Sequence, residues 1–206
     1  MISCHAKWVL SHNNTLTTWG GIGRTTNTYN GKGYALSLDG INDTMWKDPI
    51  NMPTGTAMSV TAWIYPTGYN DPTFNGIVSW GPRSCNSSFL LSIQNTGRLS
   101  MAAWCNDLVP TSGPTVSLNV WTNVAVTMNN QSVAFYINGK LAQTGTLTST
   151  PNIQNGRLLV GCTDTAPTRC FTGYIDDVRV YSQAMTASEI QRVYAEELTK
   201  RALAVK

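Results

Sequence analysis

The stretch that decides the fold runs from residue 173 to residue 194 and reads Gly173-Tyr-Ile-Asp-Asp-Val-Arg-Val-Tyr-Ser-Gln-Ala-Met-Thr-Ala-Ser-Glu-Ile-Gln-Arg-Val-Tyr194. Its first half alternates apolar and polar residues, which predicts a strand over Phe171–Tyr181. Its second half contains Thr186-Ala-Ser-Glu189, a capping box that predicts the start of a helix. An apolar stripe follows at Ile190, Val193, Tyr194 and Leu198, and Leu203 and Val205 would extend it.

Outward from this stretch, the same alternation reaches back to about residue 33, with clusters of Gly, Pro, Asn and Asp between the apolar segments. The predicted strands are Gly33–Leu38, Met58–Tyr65, Gly76–Trp80, Phe89–Ile93, Arg98–Cys105, Trp121–Met128, Ser132–Ile137, Lys140–Leu147, Gly156–Gly161 and Phe171–Tyr181. Many short strands separated by turn residues are typical of a β-sandwich. No internal repeat or flexible linker interrupts residues 33–185, so one domain is predicted.

Two hairpins are predicted from their turn residues. Asn138-Gly139 lies between alternating segments and can take the positive φ values of a two-residue type I′ turn. A second turn is predicted near Asn95, where Gly97 is available for positive φ. The register centred on Asn95 sets Phe89 opposite Met101, Leu91 opposite Leu99 and Cys85 opposite Cys105.

Charge and acidic-residue content exclude several classes of function. The 14 basic and 11 acidic residues are scattered singly, so the chain lacks a basic stripe for nucleic acid. Its strongly apolar runs are far shorter than the roughly 20 residues that span a bilayer, so no membrane insertion is expected. All three Glu lie near the C-terminus, and the only His are His5 and His12. Paired-carboxylate catalysis would therefore have to use two Asp.

The closing stretch resembles the last strand and helix of the laminin-G-like, concanavalin A-like jelly-roll domains. Further pieces similar to that family follow its order, at Gly33–Asp43, Met58–Pro66, Trp121–Thr127 and Phe135–Gly139. The resemblance implies an all-β fold, a two-sheet antiparallel jelly-roll sandwich with a short C-terminal helix. It divides the chain into an N-terminal segment 1–30 of uncertain structure, a jelly-roll domain 31–194 and a C-terminal helical extension 195–206.

Aromatic residues are the candidates for binding carbohydrate, because a sugar packs its C–H face on a ring while amides and carboxylates bind its hydroxyls. The predicted register turns the apolar side chains of the Cys85–Cys105 hairpin to one face and leaves Trp104 on the other, beside Ser92 and Ser100. Further candidates are Trp46 and the loop residues Tyr69, Asn70, Asp71 and Phe74. The alternative for each is packing beneath a loop or on the N-terminal segment.

Calcium is the candidate metal, because a turn that gathers carboxylate and amide oxygens supplies the ligands this ion prefers. Asp39, Asn42 and Asp43 lie in one such turn. The resemblance adds Asp176 of the closing strand as a further ligand. The alternative is that residues 39–43 simply form turns and that Asp176 accepts a backbone hydrogen bond.

The five cysteines indicate the compartment. Cys162 and Cys170 flank a short loop, and Cys85 and Cys105 face each other in the predicted register, so two disulfides are expected. Two disulfides imply an oxidising environment, which places the chain outside the cell, on a cell surface or on a virion. Cys4 is left over, as a free thiol or as a link to another chain; the alternative for all five is reduced, buried cysteine.

Three classes of function follow from these observations. The first is a non-catalytic binding module that recognises a glycan or glycoprotein surface or mediates adhesion. The second is a structural or assembly subunit of a surface filament, virion coat or fibre, with contacts through its termini to further copies. The third is a polysaccharide-active enzyme, which would need Asp107 with Asp71 or Asp164 in one cleft. The C-terminal extension either docks a partner, or its residues beyond Tyr194 fray or lead into a neighbouring domain.

Overall fold

The structure is a computed structural model that describes residues 8–9, 17–48, 51–163 and 169–204. Its elements are β1 (Trp8–Val9), β2 (Thr17–Trp19), β3 (Gly23–Thr25), β4 (Ala35–Asp39), β5 (Thr44–Lys47), β6 (Ala57–Gly68), β7 (Asn75–Trp80), β8 (Phe89–Ile93), β9 (Leu99–Ala102), β10 (Asp107–Leu108), β11 (Thr122–Asn129), β12 (Ser132–Ile137), β13 (Lys140–Thr146), β14 (Leu158–Val160), β15 (Thr172–Tyr181) and α1 (Ala187–Ala204). All ten predicted strands are present. The additional strands, β1, β2, β3, β5 and β10, have two to four residues and are too short to show an alternation.

The strands form two antiparallel sheets packed face to face, which confirms the predicted sandwich. The first sheet has the order β13-β12-β11-β6-β15-β4-β3, with β1 also paired to β15, and the second has the order β10-β9-β8-β7-β14-β5-β2. β3 and β2, from residues 17–25, are the edge strands that close one side of the sandwich. The main core lies between the sheets, with Phe89 and Leu91 from the second sheet and Val124 and Val126 from the first.

The two predicted hairpins differ in how well their register was predicted. Asn138 and Gly139 have φ values of 50° and 72°, which confirms the two-residue turn. In the other hairpin, Leu91 pairs with Met101 rather than with Leu99, so the predicted register is wrong by two residues. The reason is a three-residue loop, 95–97, closed by a 2.8 Å bond from the Gln94 N–H to the Arg98 carbonyl. A shift of two residues keeps the same side chains facing the core.

The helix α1 begins at the predicted capping box and covers the outer face of the first sheet. The backbone N–H of Thr186 donates to Glu189 Oε2 at 2.8 Å, and the backbone N–H of Glu189 donates to Thr186 Oγ1 at 3.3 Å. Ile190 and Val193 pack on a small apolar cluster that includes Tyr136, Tyr181 and Met185. This cluster supplies the apolar contact that a helix of this length needs to be stable.

The C-terminal extension does not fray after Tyr194 as one alternative expected, because Glu197 anchors it. The Glu197 side chain is fully buried, and its Oε1 lies 2.9 Å from Arg179 Nη1. Trp63 Nε1 and Asn123 Nδ2 donate to Glu197 Oε2 at 2.6 and 2.9 Å. A buried carboxylate with this many donors is compensated for its lost hydration, so α1 is an integral part of the fold.

Candidate functional site

A single row of side chains crosses the outer face of the second sheet, on the side of the sandwich opposite α1. Strand pairing sets the row, since each member is the cross-strand partner of the next: Asp107, Ala102, Leu90, Ser79, Leu159 and Trp46. Leu90 points outward because its neighbours Phe89 and Leu91 point into the core. The row spans six strands, or about 24 Å at the usual strand spacing. Its members from Asp107 to Leu159 form the floor of a groove that runs across the strands, and Trp46 lies at the end of the row, outside the lining.

One wall of the groove is the turn that carries Trp104. Trp104 and Cys105 have φ values of 51° and 62°, so the chain turns sharply directly after β9. The Cys85–Cys105 disulfide forms as predicted, and the Asn86 N–H donates to the Trp104 carbonyl at 2.9 Å. The Trp104 side chain is 39% exposed at the groove, with the Arg83 guanidinium 5.9 Å from its ring centroid. Trp104 therefore lies on a braced turn rather than on the predicted strand.

A buried amide holds this turn from below. Asn106 Nδ2 donates to Asn86 Oδ1 at 2.6 Å and to the Ser149 carbonyl at 2.8 Å. Asn106 Oδ1 accepts from both the N–H and the hydroxyl of Thr148 at 2.9 Å. A buried side chain with its donors and acceptors satisfied fixes the backbone around it. Asn106 thus gives the Trp104 ring a defined position before any ligand arrives.

The opposite wall is formed by the ends of the loop that the Cys162–Cys170 disulfide closes, as predicted. Its residues 164–168, including Asp164, lie outside the described residues. The loop contacts the sheet at Gly76, where a Cβ would lie 2.6 Å from the Cys162 carbonyl carbon. The Gly76 N–H donates to the Arg169 carbonyl at 3.2 Å, and Ser79 Oγ donates to the Thr163 carbonyl at 2.9 Å. Glycine at position 76 is what lets this wall approach the sheet.

Phe74 and Arg169 complete the second wall. The Phe74 ring is buried against Leu90 and Ala102, with the Arg169 guanidinium 5.2 Å from its centroid. Arg169 Nε also lies 3.6 Å from Asp71 Oδ2. The other Asp71 oxygen, Oδ1, accepts from the N–H groups of Thr73 and Phe74 at 2.8 Å. Asp71 therefore orders its own loop, residues 71–74, and also contacts Arg169 at the end of the disulfide-closed loop.

Among the described residues, the charged side chains that line the groove are three arginines, Arg83, Arg157 and Arg169, and one carboxylate, Asp107. Arg157 lies over the Trp46 ring at 4.0 Å and is held from outside the lining by Asp48, whose Oδ1 is 2.9 Å from Nη2. Partial burial raises the pKa of Asp107 above its ordinary value, and this shift is opposed by Arg169 and by the backbone N–H of Asn106.

The other predicted ligand-binding residues lie near the groove without lining it. Trp46 ends the floor row, but Arg157 covers its ring. Tyr69 donates its hydroxyl to the Val116 carbonyl at 3.3 Å, and burial raises its pKa. Asn70 Nδ2 donates to the Gly40 carbonyl at 2.7 Å. Of the predicted ligand-binding residues, the structure brings Trp104 and Phe74 into the lining, with Asp71 directly behind Arg169.

The predicted calcium ligands do not gather in one place. Thr172 pairs with Asp39, and Asp176 lies four residues further along β15, or about 13 Å away at the usual rise per residue. Asp39 Oδ1 accepts the Ile41 N–H at 2.8 Å, and Asp176 Oδ1 accepts the Asp177 N–H at 2.8 Å. These are the turn and backbone bonds of the alternative interpretation. Within the described residues no group of three His, Cys, Asp or Glu side chains is placed to hold a metal ion.

Asp43 and Asn42 nevertheless fit a hard cation. Asp43 is 3% exposed, and its Oδ1 has no hydrogen-bond partner among the described residues. A Cβ on Gly20 would lie 2.5 Å from Asp43 Oδ1, 2.6 Å from Asn42 Oδ1 and 2.9 Å from the Asn42 carbonyl, so these three oxygens converge beside Gly20. A buried, unsatisfied carboxylate oxygen among further oxygens is the environment that calcium occupies, although calcium takes six to eight ligands.

Sequence reasoning missed the arginines of the groove and Asn106. A signal for two of the arginines was present, because Arg83 lies two residues before Cys85 and Arg169 directly precedes Cys170. Only 12% of the residues are charged, so an arginine beside each disulfide is a notable concentration of charge. Asn106 has no comparable signal, since its hydrogen-bond partners lie 20 and 42–43 residues away in the sequence.

Comparison with known proteins assigns the family. The family model Laminin_G_3, described as the concanavalin A-like lectin/glucanases superfamily, matches residues 24–191. The chain therefore belongs to this family, as the resemblance of its closing strand and helix implied. No curated protein matches the chain.

Similar solved structures are domains of larger bacterial proteins. Domain 4 of AbnA, a GH43 extracellular arabinanase from Geobacillus stearothermophilus in complex with arabinotriose, is 22% identical with a TM-score of 0.64, over 85% of this chain and 82% of that one. The binding domain of Paraclostridial Mosquitocidal Protein 1 is 14% identical with a TM-score of 0.67, over 90% of this chain and 48% of that one. The botulinum neurotoxin serotype G binding domain is 15% identical with a TM-score of 0.61, over 89% of this chain and 46% of that one. The chain thus spans about half of either toxin domain, and these identities show the fold alone.

Two features bear on the compartment. The two disulfides are typical of proteins that fold in an oxidising environment, which indicates a secreted or extracellular protein. Within the described part of the chain, no helix combines the length and the apolar character required to traverse a bilayer.

Proposed function

We propose that the chain is a non-catalytic carbohydrate-binding module and that the groove across the second sheet is its binding site. The observation that carries this proposal is the position of Trp104, whose ring is held partly exposed at the wall of a groove whose floor includes Ala102, Leu90 and Leu159. A sugar ring packs its C–H face on such an indole, and its hydroxyls reach Asp107 and the arginines at the rim. The length of the floor row suits a linear oligosaccharide.

The comparisons support a binding role of this kind. The arabinanase domain was solved with arabinotriose, and both toxin structures are described as binding domains. These neighbours support glycan binding as a class of function, and the groove itself carries the argument for this chain. The setting we propose is the outside of a cell or a virion, where such a module would mediate attachment.

The absence of catalysis is part of the proposal. Of the two aspartates at the groove that an enzyme would need, Asp71 is engaged by two backbone N–H groups and faces Arg169. A carboxylate held in this way is a positioning group rather than a proton donor. Among the described residues, Asp107 then remains as the one carboxylate in the lining, where paired-carboxylate hydrolysis needs two, and Asp164, its other predicted partner, lies outside the described residues.

Calcium is proposed as a structural ion held by Asp43 and Asn42. Bound there, the ion would satisfy the buried Asp43 oxygen and fix the turn between β4 and β5 against Gly20. This site lies on the β2–β5 side of the sandwich, away from Trp104. Calcium would therefore support the fold without contacting the sugar.

The experiment is a glycan array with the intact chain, followed by calorimetry on the sugars that bind. Trp104→Ala is expected to weaken binding by about 30-fold or more, the usual effect of removing a central aromatic contact. Trp19→Ala is the matched control, because Trp19 is 66% exposed on the edge strand β2 and does not line the groove. Equal affinity of the Trp104 variant and the control would remove the groove as the site. No bound sugar, together with a defined oligomer in light scattering, would make assembly the function.

A further inference from the structure

The two disulfides differ in how far they are open to solvent and in what they hold. We infer that the Cys85–Cys105 disulfide is a redox modification site: an external dithiol reduces it, and its reduction releases Trp104 from the wall of the groove and weakens sugar binding. The inference rests on the proposed function and goes beyond it, because it adds a chemical reaction that regulates the site.

The first argument is access to the bridge. A disulfide is reduced when a thiolate attacks one of its sulfurs, so a bridge in the core reacts only after the protein around it opens. Cys85 and Cys105 are both exposed, whereas Cys162 and Cys170 are 2% and 0% exposed. An external dithiol therefore reaches the Cys85–Cys105 bridge in the folded protein and does not reach the other bridge.

The second argument is the backbone that the exposed bridge holds. Among the described residues, eight non-glycine residues have a positive φ, and six of them are Asn or Asp, which tolerate that conformation. The other two are Trp104 and Cys105, which are adjacent and have φ values of 51° and 62°. A bulky residue keeps such a backbone only where the surrounding structure enforces it. Opening the bridge therefore gives the Trp104 turn access to a relaxed backbone.

The third argument is that the two cysteines stay close after reduction. Asn86 and Asn106 directly follow the two cysteines in the sequence, and Asn106 Nδ2 donates to Asn86 Oδ1 at 2.6 Å. Asn106 also donates to the Ser149 carbonyl at 2.8 Å, so the base of the turn is anchored without the sulfurs. The change on reduction is therefore confined to the turn, and the bridge can form again on oxidation.

The other disulfide closes a loop that is held differently. The Thr163 N–H donates to the Arg169 carbonyl at 3.2 Å, and the Phe171 N–H donates to the Gly161 carbonyl at 2.7 Å. These backbone bonds lie directly beside the bridge and join the same two segments of chain. The Cys162–Cys170 wall therefore keeps its connection even without its sulfur–sulfur bond, and the response to reduction is specific to the Trp104 wall.

The reaction is a two-electron thiol–disulfide exchange. One thiolate of the dithiol attacks a sulfur of the bridge and forms a mixed disulfide, which releases the other cysteine as a thiolate. The second thiol of the reagent then displaces the remaining cysteine. The dithiol is oxidised to a disulfide, and Cys85 and Cys105 take up its two electrons and two protons as two thiols.

The test reduces the intact chain in its folded state with dithiothreitol, after any free thiol has been alkylated. New thiols are labelled with a second alkylating reagent and located by peptide mapping. We expect Cys85 and Cys105 to be labelled about tenfold or more faster than Cys162 and Cys170, because the buried bridge reacts only when the protein opens. The NMR signal of the Trp104 indole N–H should move as they are labelled and return on oxidation.

Glycan affinity is measured by calorimetry on the same reduced sample. If the released turn holds the Trp104 ring in place for about a tenth of the time, the apparent affinity falls tenfold. The Cys85→Ser, Cys105→Ser variant is the matched control, because it should bind as weakly as the reduced protein and should not respond to dithiothreitol. Equal rates of reduction for the two bridges would overturn the inference. Failure of the Trp104 signal to return on oxidation would also overturn it.

The NMR signal separates this inference from the proposed function. If no glycan binds but the Trp104 signal moves reversibly on reduction, the proposed function is wrong and the reducible turn stands. If a glycan binds with an affinity that reduction of Cys85 and Cys105 leaves unchanged, the inference is wrong and the proposed function stands. A Trp104 signal that stays in place after both cysteines are labelled would likewise overturn the inference alone.

Discussion

The two outer faces of the sandwich carry the same kinds of residue in opposite states. On the first sheet, Trp63 is buried and Arg179 is largely buried beneath α1, where Glu197 of the helix contacts both, and Tyr29 stacks on Trp63 at 4.6 Å. On the second sheet, tryptophan, arginine and aspartate surround a groove and stay accessible. The faces differ because α1 lies on the first sheet, while no helix among the described residues lies on the second. Aromatic and charged groups that stabilise the fold under a helix stay accessible to a ligand where no described element covers them.

The largest expected effect on stability comes from the outer face of the first sheet, which α1 covers. Glu197→Ala leaves Arg179 buried beside Asp177 without its other carboxylate, and removing one partner of a buried pair typically costs about 3–5 kcal/mol. We expect a loss of this size in the free energy of unfolding, measured by urea denaturation. Glu196→Ala is the control, because Glu196 is exposed on the same helix and should change stability by less than about 0.5 kcal/mol. Similar losses in both variants would mean that the two faces do not differ as described.

Each wall of the groove on the second sheet is held by a disulfide. Replacing Cys85 and Cys105 by Ser opens a bridge between residues 20 apart and should cost about 3 kcal/mol. The Cys162→Ser, Cys170→Ser variant is the comparison, because its shorter span of 8 residues predicts a slightly smaller loss. Only the first variant releases the Trp104 turn, so we expect it to lose more glycan affinity in calorimetry. Greater loss of affinity in the second variant would assign the leading role to the Arg169 wall.

The buried carboxylates of Glu197 and Asp43 can be compared in the same way, and the comparison tests the proposed calcium site. Glu197 Oε2 accepts hydrogen bonds from Trp63 and Asn123 and its Oε1 is ion-paired with Arg179, whereas Asp43 Oδ1 has no hydrogen-bond partner among the described residues. If calcium satisfies Asp43 at a free concentration 100 times its Kd, chelation removes about 2.7 kcal/mol. We expect the Tm to fall by roughly 5–10 °C in excess chelator. An unchanged Tm, or an equal fall for the Asp43→Asn variant, would exclude this calcium site.

Asp107 gives the smallest effect, and its sign follows from its pKa. A folded-state pKa raised above the ordinary 3.8 means that the folded protein holds this proton more tightly than the unfolded chain does. The associated stability is present below about pH 3.8 and is lost as the pH rises through the folded-state value. At pH 7 we therefore expect Asp107→Asn to stabilise the chain slightly, by less than about 0.5 kcal/mol in urea denaturation. Destabilisation at pH 7 would show that the ionised carboxylate makes a favourable contact.

The sequence predicts the strands and the start of the helix better than it predicts how the helix packs on the first sheet. Period-two alternation reveals ten of the fifteen strands, and the Thr186–Glu189 capping box reveals the helix, because both signals are local. The burial of Glu197 depends on Trp63, 134 residues away, so no local pattern indicates that the helix continues as part of the fold. Register was predicted only as far as the turn type was known, which explains the two-residue error at Gly97.

The candidate site could be predicted in part. Alternation singled out Trp104, although Trp104 lies on the turn after β9 and not on a strand, and Phe74 was singled out from its loop. The row from Asp107 to Trp46 depends on five strand pairings, two of which involve β10 and β5, strands too short to recognise. Asp176 was assigned to calcium by resemblance, whereas the pairing of β15 with β4 places it too far from Asp43.

The most direct test is to map the bound sugar by NMR on the intact chain, using the best-binding glycan from the array. The seven tryptophan indole N–H groups report on both faces, with Trp104 at the groove and Trp63 under α1. We predict that the Trp104 signal and the backbone signals of Leu90 and Ala102 move on titration, while the Trp63 signal stays in place. Shifts centred instead on Trp121, whose ring lies 5.6 Å from that of Tyr65 on the first sheet, would contradict the assignment of binding to the second sheet.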